Sequence, residues 1–190
     1  YDWVHDRYVY YISKDQGITF EKRLSAKKDE NNRRMFDETM LVEIDDSTLW
    51  LLARTFEGVA RTVSKDGGNT WSEIENPAFP GPCSRFYIGK LKSGNILFVN
   101  HHNFTGRSHL TAMLSTNNGV SFDYKLLMDE RSDVSYPDVV EGEDGRIWMG
   151  YDRERHGDKG ILMACFTEED INKGRFASPT SYTRKIICKV

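Results

Sequence analysis

The stretch SKDGGNTW, residues 64–71, occurs three times in related form along this chain. The other copies are SKDQGITF at 13–20 and STNNGVSF at 115–122. The copies begin at residues 13, 64 and 115, so both intervals are 51 residues long. A single copy could arise by chance, but three in register indicate an internal repeat, and this period is typical of β-propeller blades. We call these three stretches the box segments.

Each box segment has the residue types of a tight turn. The Asp or Asn at its third position can accept hydrogen bonds from backbone N–H groups of the same turn. The Gly at its fifth position allows a backbone angle that other residues resist. The Trp or Phe at its last position can enter the apolar layer between adjacent sheets. The box segments are therefore interpreted as structural hairpin turns rather than as sites of chemistry.

The sequence between the box segments has the pattern of β-strands. Residues 40–44 and 48–54 are apolar runs on either side of the short turn 45–47, and the scheme recurs at 91–99 and 139–150. With the strands that flank each box segment, this gives four antiparallel strands per repeat, which is one propeller blade. The sequence predicts an all-β chain forming one partial propeller domain over residues 1–190.

The number of repeats is smaller than a closed propeller needs. The 190 residues hold about 3.7 repeats of 51 residues, whereas propellers usually have four to eight blades. We expect the chain to be truncated, or to complete its ring by self-association. A fourth box segment would begin near residue 166, but the sequence there does not fit one, and we expect a short helical turn before the last strand.

Composition excludes several classes of function. The net charge of −3 gives no electrostatic case for nucleic acid. No apolar run approaches 18 residues, so no membrane span is predicted. The three cysteines share no CxxC spacing, and the cluster of His101, His102 and His109 lacks a convergent carboxylate. We predict no metal and no cofactor.

The stretches between the box segments resemble the sialidase family over residues 8–165. Residues 36–44, continued by 52–55, resemble the sialidase segment with an essential Glu before one strand and an Arg at the end of the next. Residues 101–107, followed by 110–115, resemble the segment that supplies another Arg. Residues 134–138 resemble the segment with the sialidase tyrosine. The resemblance implies a propeller of six blades when complete, of which about four are present.

The resemblance also implies roles for individual residues. Tyr136 corresponds to the nucleophile on the anomeric carbon, and Glu38 to its base. Arg54 and Arg107 correspond to two of the three arginines that bind the sugar carboxylate. These residue types suit the chemistry, because a phenol needs a nearby carboxylate to take its proton and a planar guanidinium binds carboxylate in bidentate fashion. Tyrosine is also a known exception to the two-carboxylate rule of glycosidases.

The sequence departs from the family in several places. We found no FRIP-like segment with the remaining arginine and no early Asp for the general acid. Arg85 is a candidate replacement for that arginine, and its alternative is an ion pair with a neighbouring blade. Pro137 follows Tyr136 and predicts extended backbone at the tyrosine. Residues 151–155 are expected to form a charged loop, with Arg153 facing the mouth of the site.

Three functions remain open from the sequence. The leading hypothesis is an exo-sialidase-like glycoside hydrolase that removes a terminal acidic sugar with retention. The second is a propeller enzyme acting on another acidic glycan that contains uronate. The third is a glycan-binding propeller without turnover. All three predict a glycan or acidic sugar as partner. The compartment stays open, with export favoured over the cytoplasm because glycan-scavenging enzymes are commonly exported.

Overall fold

A computed structural model describes residue 4, residues 7–27 and residues 34–189. The chain divides into two compact units, Tyr1–Pro80 and Gly81–Val190. Among the described residues, no helix is both long and apolar enough to cross a membrane.

The first unit contains a hairpin and a four-stranded sheet. The hairpin pairs β1 with β2, and the sheet has the order β3-β4-β5-β6 with every neighbouring pair antiparallel. The strands are β1 Arg7–Ile12, β2 Glu21–Lys27, β3 Arg34–Glu43, β4 Leu49–Thr55, β5 Gly58–Ser64 and β6 Glu75–Pro80.

The second unit contains two four-stranded antiparallel sheets. Their orders are β7-β8-β9-β10 and β11-β12-β13-β14. The strands are β7 Tyr87–Lys90, β8 Ile96–His101, β9 Leu110–Ser115, β10 Tyr124–Asp129, β11 Val134–Glu141, β12 Ile147–Arg153, β13 Gly160–Phe166 and β14 Tyr182–Lys189, with helix α1 at Glu168–Lys173. The predicted blade, four strands that follow one another in sequence and in space, is confirmed.

The box segments form the turns that their residue types predict. In the second one, Asp66 accepts hydrogen bonds from the Thr70 backbone N–H at 2.8 Å and from the Thr70 hydroxyl at 2.6 Å. The Ser64 hydroxyl donates to Asp66 and accepts from the Gly68 N–H. Gly68 has φ +91°, a left-handed conformation that suits glycine. Asn117 takes the place of the Asp in the third segment and accepts from the Ser121 N–H at 3.0 Å.

The aromatic residues that end the box segments differ in burial. Trp71 packs against the small core of the first unit, formed by Tyr8, Leu51 and Ala53. Phe122 lies 5.6 Å from Phe98, measured between ring centroids. Phe20, by contrast, is 64 % exposed. The expected insertion into an apolar layer therefore describes Trp71 and Phe122 but not Phe20.

Helix α1 replaces the fourth box segment, and the expected helical turn is confirmed. Thr167 and Asp170 form a reciprocal capping box at its start, and Gly174 ends it with φ +63°. Asp170 is fully buried and accepts hydrogen bonds from the backbone N–H groups of Ala177 and Ser178 and from the Ser181 hydroxyl. One carboxylate thereby fixes both the helix start and the following loop.

A large apolar core spans both sheets of the second unit. Strands β8 and β9 are buried along their whole length, as expected for strands covered on both faces. The core is shared by both sheets and by Ile171 of α1; its other buried members include Leu97, Leu114, Leu126, Met149, Ala164 and Phe166.

The sheets of the second unit have two chemically different ends. The box end comprises the connections 91–95, 116–123, 142–146 and 167–181. The loop end comprises the connections 102–109, 130–133 and 154–159. The register of the strands places the connections of each group together, because His101 pairs with Leu110, Leu110 with Asp129, and Val134 with Arg153.

Candidate active site

Tyr136 lies in a β-bulge near the start of β11, at the loop end. The pairing of β11 with β12 shifts register between Ser135 and Asp138, so Tyr136 and Pro137 form the bulge. Tyr136 has φ +57°, in the left-handed region. The prediction of extended backbone before Pro137 is therefore wrong, because the bulge imposes a different geometry. A bulge re-aims a side chain, and here it re-aims the predicted nucleophile.

Arg107 lies beside Tyr136, as the resemblance implies. It belongs to the connection between β8 and β9, and its carbonyl accepts a hydrogen bond from the Val134 N–H at 3.1 Å. The Arg107 guanidinium carbon is 5.9 Å from the centroid of the Tyr136 ring. The structure thus brings these two predicted residues together from neighbouring sheets of the second unit.

The charge of Arg107 has no carboxylate partner in the described part of the chain. Its guanidinium donates to the Cys83 carbonyl oxygen at 3.1 Å and to the Ser135 hydroxyl at 3.4 Å, both neutral groups. A half-buried guanidinium that is oriented by neutral acceptors keeps its charge available for an anion. This is the property that a ligand for a sugar carboxylate requires.

Arg85 lies near a carboxylate of the neighbouring sheet, which is the ion pair that the sequence left open as an alternative. It precedes β7, and its guanidinium lies 3.9 Å from the Asp138 carboxylate of the neighbouring sheet. Both side chains are more than a third exposed. Such a long, solvated pair contributes little to stability, so Arg85 can exchange this partner for another anion at small cost.

The other two predicted residues form an ion pair in the first unit. Glu38 is on β3 and Arg54 on β4, next to the register pair Thr39 and Ala53. The guanidinium of Arg54 donates to the Glu38 carboxylate at 2.6 Å. The Arg54 side chain is 1 % exposed and that of Glu38 is 27 % exposed. Burial makes this pair sensitive to the loss of either partner, because the remaining charge would be left uncompensated.

A cavity of about 520 Å³ opens at the loop end of the second unit. It is lined by Arg107, Asp133, Ser135 and the turn 154–157. Arg155 of this turn lies over the Tyr136 ring, with its guanidinium carbon 3.9 Å from the ring centroid. The expectation that Arg153 faces the site is wrong: Arg153 ends β12, pairs with Glu154 and lines a different surface near Asp158.

Sequence reasoning missed Arg155 because it placed residues 151–155 in one loop. Residues 151–153 instead belong to β12, and Arg155 follows in the tight turn that Glu154 begins with φ +51°. Nothing in the local sequence indicates this turn geometry. Burial lowers the pKa of Arg155, but the hydrogen-bonded carboxylate of Asp152, with a smaller contribution from Tyr136, outweighs that effect and raises the pKa above its usual value.

His101 is a buried residue at the loop end. It ends β8, and its Nδ1 donates to the Ser108 carbonyl at 2.8 Å, which fixes the neutral tautomer with hydrogen on Nδ1. Burial, the largest cause, lowers the pKa of His101 to about 4, and the nearby charge of Arg107 adds to this effect. In the part of the chain that the structure describes, no group of three or more potential ligands could hold a metal ion.

Blades of four antiparallel strands with box segments define a protein of the sialidase-like propeller class. A family model for the BNR repeat-like domain matches residues 2–149. The chain belongs to that family, and the predicted relation to BNR-repeat proteins is confirmed. Comparison with curated proteins gave no match.

Solved structures agree on the fold. A leech intramolecular trans-sialidase matches with a TM-score of 0.68 and 18 % identity, over 86 % of this chain and 28 % of its own. A Hadza microbial sialidase matches with a TM-score of 0.59 and 23 % identity, over 74 % of this chain and 29 % of its own. A protein of unknown function from Dyadobacter fermentans matches with a TM-score of 0.58 and 21 % identity, over 76 % and 40 %.

The sequence identities and the share of each solved structure that is covered decide what these matches establish. At identities of 18–23 % the likeness establishes the fold alone. The chain spans less than half the length of each of these three proteins.

Proposed function

We propose that this chain is part of an exo-sialidase-like glycoside hydrolase that removes a terminal acidic sugar with retention. The observation that supports this most is Tyr136, held in a left-handed bulge beside a cavity, with the unneutralised guanidinium of Arg107 5.9 Å from its ring. A tyrosine next to a cation that lacks a carboxylate partner suits an anionic sugar better than a purely structural role does.

The proposed reaction has two displacements at the anomeric carbon. The Tyr136 oxygen bonds to that carbon while the bond to the leaving-group oxygen breaks, and the phenol proton passes to the base. Water then bonds to the same carbon as the bond to the Tyr136 oxygen breaks, the base returns its proton to that oxygen, and the proton of the water passes to solvent. Two inversions leave the configuration retained. We assign the role of base to Glu38 and the binding of the sugar carboxylate to Arg54, Arg107 and Arg85. Roles that join residues of the two units rest on the family resemblance alone.

The buried ion pair of Arg54 and Glu38 supports a distinct role for each of the two residues. A base must be held where it can take the proton, and the guanidinium of Arg54 donates to the Glu38 carboxylate at 2.6 Å. The same contact fixes the position of the carboxylate. We therefore propose that Arg54 orients Glu38 in addition to binding substrate.

The experiment is hydrolysis of an aryl α-sialoside, whose leaving group hardly needs protonation. Tyr136→Phe is expected to reduce release by at least about 1000-fold, because removing a nucleophile removes the covalent path. Tyr124→Phe is the matched control, since Tyr124 is exposed and lies at the opposite, box end of the second unit. Hydrolysis that survives in Tyr136→Phe contradicts the nucleophile assignment.

A second candidate substrate is a uronate-bearing glycan. A planar guanidinium without a carboxylate partner, such as Arg107, can bind the carboxylate of a uronate as well as that of a sialic acid. A panel of aryl sialosides and aryl uronides separates the two substrates. Binding of acidic sugars without release of any aglycone favours the glycan-binding propeller instead. We further propose that residues 1–190 are one part of a single propeller domain, completed by further chain or by self-association.

A further inference from the structure

The cavity has a second cation that the family resemblance does not assign. Arg155 and Arg107 both approach the ring of Tyr136, at 3.9 Å and 5.9 Å from its centroid. Arg155 is therefore the closer of the two cations, and it stacks on the ring of the proposed nucleophile.

Asp152 fixes the position of Arg155. Its carboxylate accepts from Arg155 Nε at 2.9 Å and from a second guanidinium nitrogen. The other carboxylate oxygen accepts from the Ser135 hydroxyl at 2.6 Å, and Ser135 in turn accepts from Arg107 at 3.4 Å. One largely buried carboxylate, 13 % exposed, thus connects both cations of the cavity.

We propose that Arg155, stacked on the Tyr136 ring, stabilises the negative charge that develops on the phenol oxygen, and that Asp152 is the positioning residue that holds Arg155 there. The proposal rests on the proposed function. When the phenol gives its proton to the base, the oxygen becomes anionic until its bond to the anomeric carbon forms. A fixed positive charge beside a phenol on which negative charge develops lowers the barrier, because no reorganisation is needed.

The two arginines should differ in the kinetic constant that they affect. Arg155 contacts the nucleophile, so Arg155→Gln is expected to lower kcat by about 100-fold with little change in KM. Arg107 has a guanidinium free for substrate, so Arg107→Gln is expected mainly to raise KM. Arg155→Lys keeps the charge but loses the planar fork, and should retain more activity than Arg155→Gln.

Arg146 provides a matched control in the same unit. Its guanidinium carbon lies 5.2 Å from the Trp148 ring centroid and its Nε donates to Asp144 at 2.6 Å, so it repeats the geometry of Arg155. It precedes β12, whereas Arg155 follows it, and a strand of this length separates them by roughly 20 Å. Arg146→Gln should leave kcat within about twofold of the unchanged chain, since Arg146 lies at the box end, away from Tyr136.

A first measurement tests the contact without any turnover. In the chain with 13C-labelled tyrosine, the ring signals of Tyr136 are assigned by their loss in Tyr136→Phe. Arg155→Gln should shift these signals and Arg146→Gln should not. Unchanged Tyr136 signals in Arg155→Gln, with a melting profile that reports a folded chain, overturn the inference whatever the activity.

The kinetic measurement then tests the role. A loss in kcat for Arg155→Gln, partial recovery in Arg155→Lys and no further loss on adding Asp152→Asn support the proposal, because positioning and catalytic residues that act as a unit are not additive. A rise in KM alone places Arg155 in substrate binding and overturns it. If no aryl glycoside is hydrolysed by the unchanged chain, the proposed function fails, and the catalytic role with it, while the ring signals still report the contact.

Discussion

The two ends of the sheets in the second unit use left-handed backbone differently. At the box end, positive φ falls mostly on glycine: Gly94, Gly119, Gly145 and Gly174, with Asn118 as the exception. At the loop end it falls on one glycine, Gly106, and on six residues with side chains: Asn103, His109, Asp133, Tyr136, Glu154 and Lys159. Left-handed backbone costs such residues about 1 kcal/mol or more each. Strain is therefore concentrated at the end that has the cavity.

Buried polar groups also differ between the box end and the loop end. At the box end the buried carboxylate of Asp170 accepts hydrogen bonds on both oxygens. At the loop end His101 Nε2 and the side-chain amide of Asn100 are buried without a hydrogen-bond partner within the described ranges. Unsatisfied buried groups cost stability and mark sites organised for something other than stability. The comparison suggests that the box end holds the blades together and the loop end is free to serve the site.

The largest expected effect follows from disrupting the box end at Asp170. Asp170→Asn places an amide N–H₂ against donors that now bind a carboxylate, so the free energy of unfolding should fall by about 3–4 kcal/mol at neutral pH. Urea unfolding measures the loss. The exposed Glu169→Gln in the same helix is the control, expected to change it by less than about 0.5 kcal/mol. Equal effects in the two variants would contradict the special role of Asp170.

The next effect is a loss of stability in acid that originates at the loop end. Burial keeps His101 neutral in the folded chain down to a pKa of about 4, whereas the unfolded chain takes up the proton near pH 6.5. The unfolded state therefore binds more protons between these values, and stability should fall by up to about 3 kcal/mol on acidification through this window.

His101→Asn keeps a donor where Nδ1–H now meets the Ser108 carbonyl, but it cannot titrate. The variant should flatten the dependence of unfolding free energy on pH between 6.5 and 4. Identical slopes in the variant and the unchanged chain would show that His101 does not cause the acid sensitivity. Below this window the protonation of Asp170 lowers stability further. Burial raises the pKa of Asp170, but its hydrogen bonds outweigh burial and lower the pKa to about 2. The stabilisation from Asp170 is therefore lost as pH falls from about 4 toward 2.

A smaller effect is expected from replacing a glycine at the box end. A Cβ added at Gly145 meets no atom within 4 Å, so Gly145→Ala changes the backbone preference without a clash. With φ +76° retained, the variant should lose about 1 kcal/mol of unfolding free energy. Gly150→Ala is the comparison, since it is equally open but is not among the glycines with positive φ. A Gly145→Ala chain as stable as Gly150→Ala would remove the conformational argument.

The smallest effect is expected from relieving strain at the loop end. Lys159 is exposed and has φ +50°, so Lys159→Gly should raise the free energy of unfolding by up to about 1 kcal/mol, offset in part by the greater freedom of glycine in the unfolded chain. If the strain helps to shape the turn of Arg155, activity should fall while stability rises. A loss of stability in Lys159→Gly would contradict the inference that positive φ is a source of strain at this end.

The box end could be predicted from the sequence because its chemistry is local. The Asp or Asn, the glycine and the closing aromatic of each box segment lie within eight residues, and their spacing identified the blade. Even the turn without a box segment has a recognisable signal, since Thr167, Asp170 and Gly174 have the spacing of a capped helix. The helical turn could be predicted from this spacing, but the bonds of Asp170 to the following loop could not.

The loop end could be predicted only in part because its geometry depends on distant segments. Tyr136 and Arg107 were named through the family resemblance, and they do lie together. The positive φ of Tyr136 opposed the rule for residues before proline, because the bulge is set by pairing with β12. Arg155 was missed for a related reason: its place over Tyr136 depends on Asp152 and Ser135, on two different strands.

The shared core of the second unit bears on how repeats of this kind multiply. Its apolar side chains come from both sheets and from α1, so neither blade could bury its own surface if it were alone. In repeat arrays of this type, stability is a sum of intrinsic terms and nearest-neighbour terms. Duplication of one blade therefore adds a new interface together with the new blade, and such a chain can lengthen by whole repeats without redesigning any of them.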